Sequence, residues 1–248
     1  MIRREPPPFR RAEIVRTERR TPFLVRVTLG GDELVGLPPG EPAASVRLLL
    51  PEPDGLVLPA WTGNEFLLPD GRRPLLRTVT PLHAAGRELV VDVVRHTSPL
   101  TRWADAGVGT AVAVSCTGRG TTVDPEVRSW LLLGDESAVP AISTVLAALP
   151  PTAAAEVVVE VRADEARSDL LAPPSGSITW VVADPAEPPG SALVRAVERA
   201  DRGPGTHVWA AGEAAAMQRI RQVVASDRTS WRPTSTIRGY WKAGRAGS

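Results

Sequence analysis

An arginine stands inside a short β-branched run, LLRTVTP (residues 75–81), which a proline closes. Runs of this composition are typical of β-strands, and the proline marks the end of the strand. A strand arginine either faces water or presents its guanidinium fork to a phosphate group. Arg77, with Thr78 and Thr80 beside it, is therefore a candidate phosphate-binding residue.

A second polar stretch, RHTSPLTRWA, follows another β-branched run. Ser98, Pro99, Leu100 and Thr101 form a turn whose hydroxyls and backbone N–H groups suit a pyrophosphate. The same residues equally fit a capped helix that begins near Thr101 and buries the following tryptophan. His96 lies at the end of the strand, where a histidine is more often a surface residue than a catalytic one.

The run SWLLLGDES carries the sharpest signal of the second half of the chain. A continuous apolar strand ends at Gly134, where the missing side chain allows a ligand to approach the backbone. Asp135, Glu136 and Ser137 then open a helix, whose free N–H groups favour a phosphate. The two acidic residues equally favour a simple helix cap. The G-x-G-x-x-G spacing of dinucleotide-binding motifs is absent.

Two further stretches near the C-terminus contain candidate ligand contacts. In VWAAGEAAAM a strand ends at Gly212 and Glu213, which fit either a nucleotide-binding edge or an ordinary strand-to-helix turn. In IRGYWKAG, Tyr240 and Trp241 either complete a core edge or stack on a planar cofactor. Lys242, the only lysine, follows them.

The elements that must position these residues change character along the chain. The runs FLVRVTL, SVRLLLP, PLLRTVTP, ELVVDVVRH and TAVAVSC predict short strands in an antiparallel barrel or sandwich. Beyond residue 124, apolar strands alternate with helical patterns, which predicts a doubly wound α/β domain with a mainly parallel sheet. We therefore expect two domains, residues 1–124 and 125–248.

The composition excludes several classes of function. Twenty-nine basic and 28 acidic residues leave a net charge of +1, so neither nucleic acid nor a membrane surface is an expected partner. A single cysteine, Cys116, rules out an internal disulfide, and the three histidines have no metal-ligand spacing. The N-terminal residues lack the apolar core of a signal peptide, so we expect a soluble, cytoplasmic protein without a bound metal.

Six segments taken in order resemble the siderophore-interacting protein family, the flavin-dependent ferric-siderophore reductases related to ferredoxin reductases. The segments are SVRLLLP, RTVTP, VDVVRHTSPLTRWA, LLLGDESAVPAI, VWAAGEAAAM and RGYWKAG. The resemblance implies a six-stranded FAD-binding barrel followed by an NAD(P)H-binding α/β domain. It also implies that electrons pass from NAD(P)H through FAD to chelated Fe(III), with a ferric siderophore as the substrate.

The same resemblance assigns roles within the barrel. Arg77 matches the arginine of the family's R-x-Y-T/S motif, which faces the FAD pyrophosphate, and Thr80 matches the hydroxyl residue near the flavin. His96 matches the histidine after the next strand. The turn from Ser98 to Thr101 matches the family's turn that binds the phosphates through its backbone.

In the second domain the resemblance assigns residues to the nicotinamide nucleotide, to the flavin and to the substrate. The nucleotide side comprises Gly134, Asp135, Glu136, Ser137, Gly212 and Glu213. Tyr240 and Trp241 match the aromatic end that lies close to the flavin. Lys242 is the lysine available for an anionic ferric siderophore.

Ligand-facing positions depart from the family pattern. Val79 stands where the family has a tyrosine against the isoalloxazine ring, and Ala183 stands where many relatives have an arginine suited to the NADPH 2′-phosphate. Loss of aromatic stacking, worth about 1–3 kcal/mol, predicts weaker FAD binding. Two alternatives therefore stay open. One is a repurposed biosynthetic enzyme that acts on an organic intermediate with FAD structural or absent, and the other is a non-catalytic siderophore or flavin carrier.

Overall fold

The structure is a computed structural model that describes residues 8–203, 205–226 and 235–244. It divides into two compact units, the first ending at Gly120 and the second beginning at Thr121. The division therefore falls slightly before the predicted boundary at residue 124.

The first unit is almost entirely β-structure. Its strands are β1 (Arg10–Thr21), β2 (Leu24–Gly30), β3 (Val46–Leu49), β4 (Ala60–Trp61), β5 (Phe66–Leu67), β6 (Leu76–Val79), β7 (Pro81–Ala85), β8 (Glu88–Val94) and β9 (Ala111–Val114), with one helix, α1 (Pro99–Asp105). Seven strands form an antiparallel sheet in the order β6-β3-β9-β1-β2-β8-β7, and β4 pairs with β5. The charged strand β1, which lies between β9 and β2, is not among the predicted strands.

The sheet is curled, because the chain passes from one of its edges to the other at Thr80. β6 lies at one edge of the sheet and β7 at the other, yet only Thr80 separates them in the chain. Counted as one bent strand, β6 and β7 leave the six strands that the resemblance implies. The interior contains fully buried side chains such as Val27, Leu48 and Val91. The candidate residues Arg77 and Thr80 therefore lie close to the point where the chain passes from one edge of the sheet to the other.

The second unit is a parallel five-stranded sheet with helices. Its elements are β10 (Ser129–Asp135), α2 (Val139–Ala148), β11 (Ala154–Val161), β12 (Gly176–Val182), α3 (Ser191–Arg199), β13 (Thr206–Glu213), α4 (Ala214–Ser226) and β14 (Ser235–Trp241). The strand order is β12-β11-β10-β13-β14, and every neighbouring pair is parallel. Only a 3-10 helix, Asp164–Ala166, lies between β11 and β12.

The strand order reverses direction between β10 and β13, because the chain first builds β11 and β12 on one side of β10 and then returns to the other. In doubly wound sheets, ligands bind outside the carboxyl ends of the strands at such a switch point. The predicted fold class, an antiparallel flavin-type barrel followed by a doubly wound α/β domain, is confirmed.

Candidate functional site

Arg77 lies on β6 with a guanidinium that no described carboxylate neutralises. Its Nη1 donates to the carbonyl oxygen of Leu76 at 2.7 Å, and the side chain is half-buried. Burial lowers the pKa of this guanidinium because desolvation disfavours the charged form. A bound anion would offset this desolvation, since a charge removed from water is stabilised by an opposite charge. The position therefore suits a phosphate group.

Two other arginines of the first unit show the contrast. Arg26 makes a two-point ion pair with the buried Asp92, at 2.8 Å from Nε to Oδ1 and 2.9 Å from Nη2 to Oδ2. Arg73 lies at the surface, with its Nε 2.7 Å from Oε2 of Glu65. Both guanidinium groups are already paired with carboxylates, whereas that of Arg77 pairs with no carboxylate of the residues described.

Val79 shares a face of β6 with Arg77, because alternate residues of a strand point to the same side. It is 9% exposed and packs in the barrel core, opposite Val46 on β3. Thr80 is also buried, whereas Thr78 is exposed on the other face of the strand. The Val79 side chain therefore contributes to the core and offers no aromatic surface.

The turn before α1 is a helix cap. Ser98 Oγ accepts a hydrogen bond from the N–H of Thr101 at 3.1 Å, and the two hydroxyl oxygens lie 3.0 Å apart. Thr101 Oγ1 also accepts from the N–H of His96 at 3.1 Å. The capped-helix alternative is confirmed, with the helix beginning at Pro99 and Trp103 buried. Both hydroxyls are therefore hydrogen-bonded inside the turn.

At the carboxyl end of β10, Asp135 is a buried carboxylate whose contacts all come from the protein. Its Oδ1 accepts from the N–H of Ser137 at 2.9 Å and from the Ser137 hydroxyl at 2.5 Å. Its Oδ2 accepts from Nε1 of Trp241 at 2.7 Å. Burial raises the pKa of Asp135, although the hydrogen bonds from Ser137 and Trp241 act in the opposite direction. The capping interpretation is confirmed for this residue.

The two glycines at the strand ends make room for protein atoms. A Cβ on Gly134 would lie 2.6 Å from Cβ of Ala138 and 2.8 Å from Cδ1 of Ile142, which belong to the packing of α2. A Cβ on Gly212 would lie 2.5 Å from Oδ2 of Asp135. At both glycines, side chains of the protein therefore occupy the space that a ligand was expected to approach.

Glu136 connects the end of β10 to the residue that follows β11. Its Oε1 accepts from the N–H of Arg162 at 2.7 Å, and its Oε2 lies 2.8 Å from Nη2 of the same arginine. Sequence reasoning did not single out Arg162, because an arginine after a strand is common at protein surfaces. The pair fixes Glu136 against the neighbouring strand.

Glu213, at the end of β13, is a second buried carboxylate with two sets of partners. Its Oε2 accepts from the N–H groups of Ala215 at 2.6 Å and Ala216 at 2.9 Å, in the first turn of α4. Its Oε1 accepts from the N–H of Ala243 at 3.2 Å. The strand-to-helix-turn alternative is therefore confirmed, and the residue also contacts the C-terminal segment.

A third buried carboxylate, Glu160 on β11, was not singled out from the sequence. Its Oε1 accepts from the N–H of Gly190 at 2.6 Å and its Oε2 from the N–H of Ala192 at 2.9 Å, at the start of α3. The available signal was a glutamate near the end of the apolar run EVVVEV, where a charge is rarely buried without partners. Both oxygens of Glu160 therefore accept hydrogen bonds from the start of one helix, α3.

The end of β14 and the residue that follows it carry the remaining candidates. The register between β13 and β14 shifts by one residue after Gly212, so that Trp241, and not Tyr240, lies opposite Glu213. Trp241 is 38% exposed, although its Nε1 is bonded to a buried group. Lys242 is exposed and makes no ion pair with any residue that the structure describes. An aromatic face and a cation therefore adjoin at the surface.

Other kinds of site are absent from the described ranges. No group of three or more histidine, cysteine, aspartate and glutamate side chains lies close enough to hold a metal ion there. No helix within residues 8–203, 205–226 and 235–244 is long and apolar enough to cross a membrane. A shallow depression on the first unit, lined by Arg11, Glu13 and Arg87 among others, includes none of the candidate residues.

Comparison with known protein families covers both units. Residues 13–118 match the siderophore-interacting FAD-binding domain, and residues 127–244 match the siderophore-interacting protein domain. The chain belongs to the siderophore-interacting protein family.

Individual relatives of this siderophore-interacting protein agree with that assignment. The ferric vibriobactin reductase of Vibrio cholerae is 30% identical over 245 residues, which cover 94% of this chain and 89% of the relative. The crystal structure of a siderophore utilization protein from T. fusca is 32% identical with a TM-score of 0.84, covering 98% of this chain and 97% of that one. Phthalate dioxygenase reductase shares the fold, with a TM-score of 0.61 and 18% identity over 92% of this chain and 67% of its own.

The residues of the FAD-binding domain fit the phosphates of FAD. The half-buried guanidinium of Arg77, with no carboxylate partner in the described chain, suits a pyrophosphate. In the first turn of α1 Pro99 has no N–H, and the N–H groups of Thr101 and Arg102 are bonded to Ser98, so the N–H of Leu100 is the one left for a phosphate. Val79 offers no aromatic surface for the flavin ring, so the described residues fit the phosphates of FAD and not its ring.

Proposed function

We propose that this siderophore-interacting protein is a flavin-dependent ferric-siderophore reductase that uses NAD(P)H. The observation that carries the proposal is Arg77, a half-buried guanidinium without a described carboxylate partner, on a barrel strand of an FAD-binding domain family. The ferric vibriobactin reductase from Vibrio cholerae, a relative along nearly the whole chain, supports an oxidoreductase with a ferric chelate as its acceptor.

In this proposal, the residues of the first unit bind and orient the cofactor. Arg77 holds the FAD pyrophosphate through its guanidinium fork, and the backbone N–H of Leu100 adds one phosphate contact. Thr80 lies near the flavin, and His96 is held at the edge of the same turn through its N–H. Bound there, FAD would supply the link between a two-electron hydride donor, NAD(P)H, and two one-electron acceptors, the Fe(III) chelates.

The pyridine nucleotide is assigned to the carboxyl ends of β10 and β13, where the strand order reverses. Asp135, Glu136 and Glu213 shape this edge without contacting phosphates directly, because their oxygens already accept hydrogen bonds or form an ion pair. The exposed Lys242 contacts the anionic ferric chelate, since an exposed ammonium attracts an anion at close range.

Val79 supports a second candidate, a family member that acts on an organic substrate with FAD structural or absent. Its side chain is part of the barrel core, so an isoalloxazine ring would lose the stacking that an aromatic residue supplies. A protein that binds no FAD, or binds FAD that NAD(P)H does not reduce, is the result that this second candidate predicts.

The deciding experiment is an anaerobic titration of the purified, FAD-loaded protein. We expect the visible flavin absorption to bleach when NADH or NADPH is added, and to return when a ferric siderophore is added. The released Fe(II) is measured with a colorimetric Fe(II) chelator, at two Fe(II) for each NAD(P)H consumed. An FAD-loaded protein whose absorption neither pyridine nucleotide changes would overturn the reductase proposal.

A further inference from the structure

The three buried carboxylates at the strand ends are not equivalent. Glu160 uses both of its oxygens on the start of α3. Asp135 uses Oδ1 on the turn that follows β10 and Oδ2 on Trp241, whereas Glu213 uses Oε2 on the first turn of α4 and Oε1 on Ala243. Asp135 and Glu213 therefore each connect the start of a helix to the C-terminal segment, residues 241–243, whereas Glu160 only caps α3.

The two bridges attach the C-terminal segment on both sides of one residue. Trp241 is held through its side chain and Ala243 through its backbone N–H, so Lys242 stands between two attached neighbours. An exposed lysine on a free chain end samples many positions, and holding it still for a ligand costs conformational entropy. Attachment of both neighbours reduces that cost before any ligand binds.

Two backbone features adapt the sheet to these bridges. The register shift between β13 and β14 brings Trp241 opposite Glu213, and irregularities of this kind re-aim a side chain next to a site. Gly212 lies on β13 between the strands that carry Asp135 and Trp241, and a Cβ there would meet Oδ2 of Asp135 at 2.5 Å. The hydrogen bond from Trp241 crosses to β10 because Gly212 has no side chain.

We propose that Asp135 and Glu213 are positioning residues that hold the segment from Trp241 to Ala243, and thereby fix the Lys242 ammonium as the contact for an anionic ferric chelate. The role of Lys242 rests on the proposed function, whereas the double attachment rests on the hydrogen bonds alone. The two parts are therefore tested separately.

Amide substitutions test the attachment. An Asn or Gln side chain has one acceptor oxygen, so Asp135→Asn and Glu213→Gln can each satisfy the helix start or the C-terminal segment, but not both. Glu160→Gln is the matched control, because it removes one cap acceptor without a contact to the segment. Trp241→Phe removes the hydrogen bond to Oδ2 of Asp135 from the exposed side and leaves the buried cap intact.

Amide hydrogen exchange of the peptide that contains residues 241–244 is the first measurement. We expect exchange to be about tenfold faster in Asp135→Asn, Glu213→Gln and Trp241→Phe, the equivalent of one lost hydrogen bond, and unchanged in Glu160→Gln. Equal exchange in the wild type and all of these variants would refute the attachment. This measurement needs neither FAD nor turnover.

Binding of ferric EDTA, a monoanionic chelate, is the second measurement, by equilibrium dialysis with radiolabelled iron. Lys242→Gln, Asp135→Asn and Glu213→Gln should each raise the dissociation constant about fivefold to tenfold, and Glu160→Gln should not. In a double-mutant cycle, Asp135→Asn should add nothing to Lys242→Gln, because the aspartate acts through the lysine.

The outcomes separate the two proposals. Faster exchange with unchanged binding of ferric EDTA, or additive effects in the cycle, would overturn the positioning role even if NAD(P)H reduces the flavin. A wild-type protein that passes both tests but whose flavin is not reduced by NAD(P)H would keep the positioning role and overturn the reductase. In an active enzyme Lys242→Gln, Asp135→Asn and Glu213→Gln should each raise the KM for ferric EDTA, while kcat changes less than about twofold.

Discussion

The barrel strand β6 and the strand ends of the parallel sheet carry the two sets of residues that we assign to cofactors, and their surroundings in the structure differ. On β6, Arg77 is half-buried and has no carboxylate partner among the residues described. At the strand ends, Asp135 and Glu213 have both of their oxygens bonded to protein N–H or O–H groups. A polar residue in a matching motif is available to a ligand only if the fold has not already satisfied it.

The difference follows from the geometry of the two elements. A strand arginine reaches beyond its own backbone and finds a partner only if a carboxylate happens to lie nearby, as Asp92 does for Arg26. An acidic residue at the start of a helix always has unsatisfied N–H groups within reach. Capping is therefore the expected outcome at the strand ends, and a ligand there meets groups other than the cap oxygens.

The largest expected effect is the loss of FAD affinity when Arg77 is replaced. Arg77→Ala should weaken FAD binding by about tenfold to a hundredfold, because charge-assisted hydrogen bonds contribute about 1.5–3 kcal/mol each. Fluorescence titration of the apoprotein with FAD measures the dissociation constant. Arg73→Ala, which removes an exposed arginine paired with Glu65, is the control and should change it less than about twofold. Equal loss in both variants would place the FAD phosphates elsewhere.

Substitution of Val79, on the same face of β6 as Arg77, should have two opposed effects. Val79→Tyr should tighten FAD binding, since stacking contributes about 1–3 kcal/mol, and should lower the free energy of unfolding of the apoprotein by a similar amount through overpacking. Urea unfolding and FAD titration separate them. Val46→Tyr overpacks the same core from the partner strand and should lower stability without tightening FAD binding. Unchanged FAD affinity in Val79→Tyr would count against stacking at this position.

At the strand ends, a pH-dependent effect is expected. Burial raises the pKa of Asp135, so the folded protein keeps this proton to a higher pH than the unfolded chain does. The residue's contribution to the free energy of unfolding is therefore greatest at low pH and decreases as the pH rises through the raised value. Asp135→Asn does not ionise, so its stability relative to the wild type should increase as the pH rises from the usual aspartate range, about pH 4, through the raised pKa. Urea unfolding at a series of pH values would show this; a constant difference would contradict it.

The smallest effect is expected at the turn before α1, where capping and phosphate recognition can be separated. Ser98→Ala should lower the free energy of unfolding by about 1 kcal/mol and leave FAD affinity nearly unchanged, because the hydroxyl serves the cap. Ser98→Asp keeps a good cap but adds a negative charge, so it should preserve stability and weaken FAD binding. Thermal unfolding and FAD titration together measure both. FAD loss in Ser98→Ala would show that the hydroxyl contacts the cofactor.

Much of the fold follows from local pattern. The apolar runs around β8 and β10 and the helical spacing of Ile142, Val145 and Leu146 are recognisable without tertiary information, since each buries a regular set of side chains. β1 is the exception. Its twelve residues are mostly charged, and Ile14 is its one fully buried side chain, so the strand is defined by pairing on both edges and not by periodicity.

The candidate site divides in the same way. The sequence by itself determined the family and the order of the two domains, and it marked Arg77 as a candidate phosphate contact, because these depend on motifs that stay together along the chain. Only the tertiary structure decided which polar groups remain available. Asp135 and Trp241 lie on separate strands, and their hydrogen bond exists because Gly212 on the strand between them leaves room for it. Whether a charge is satisfied depends on neighbours that folding brings from distant parts of the chain, and no local pattern records them.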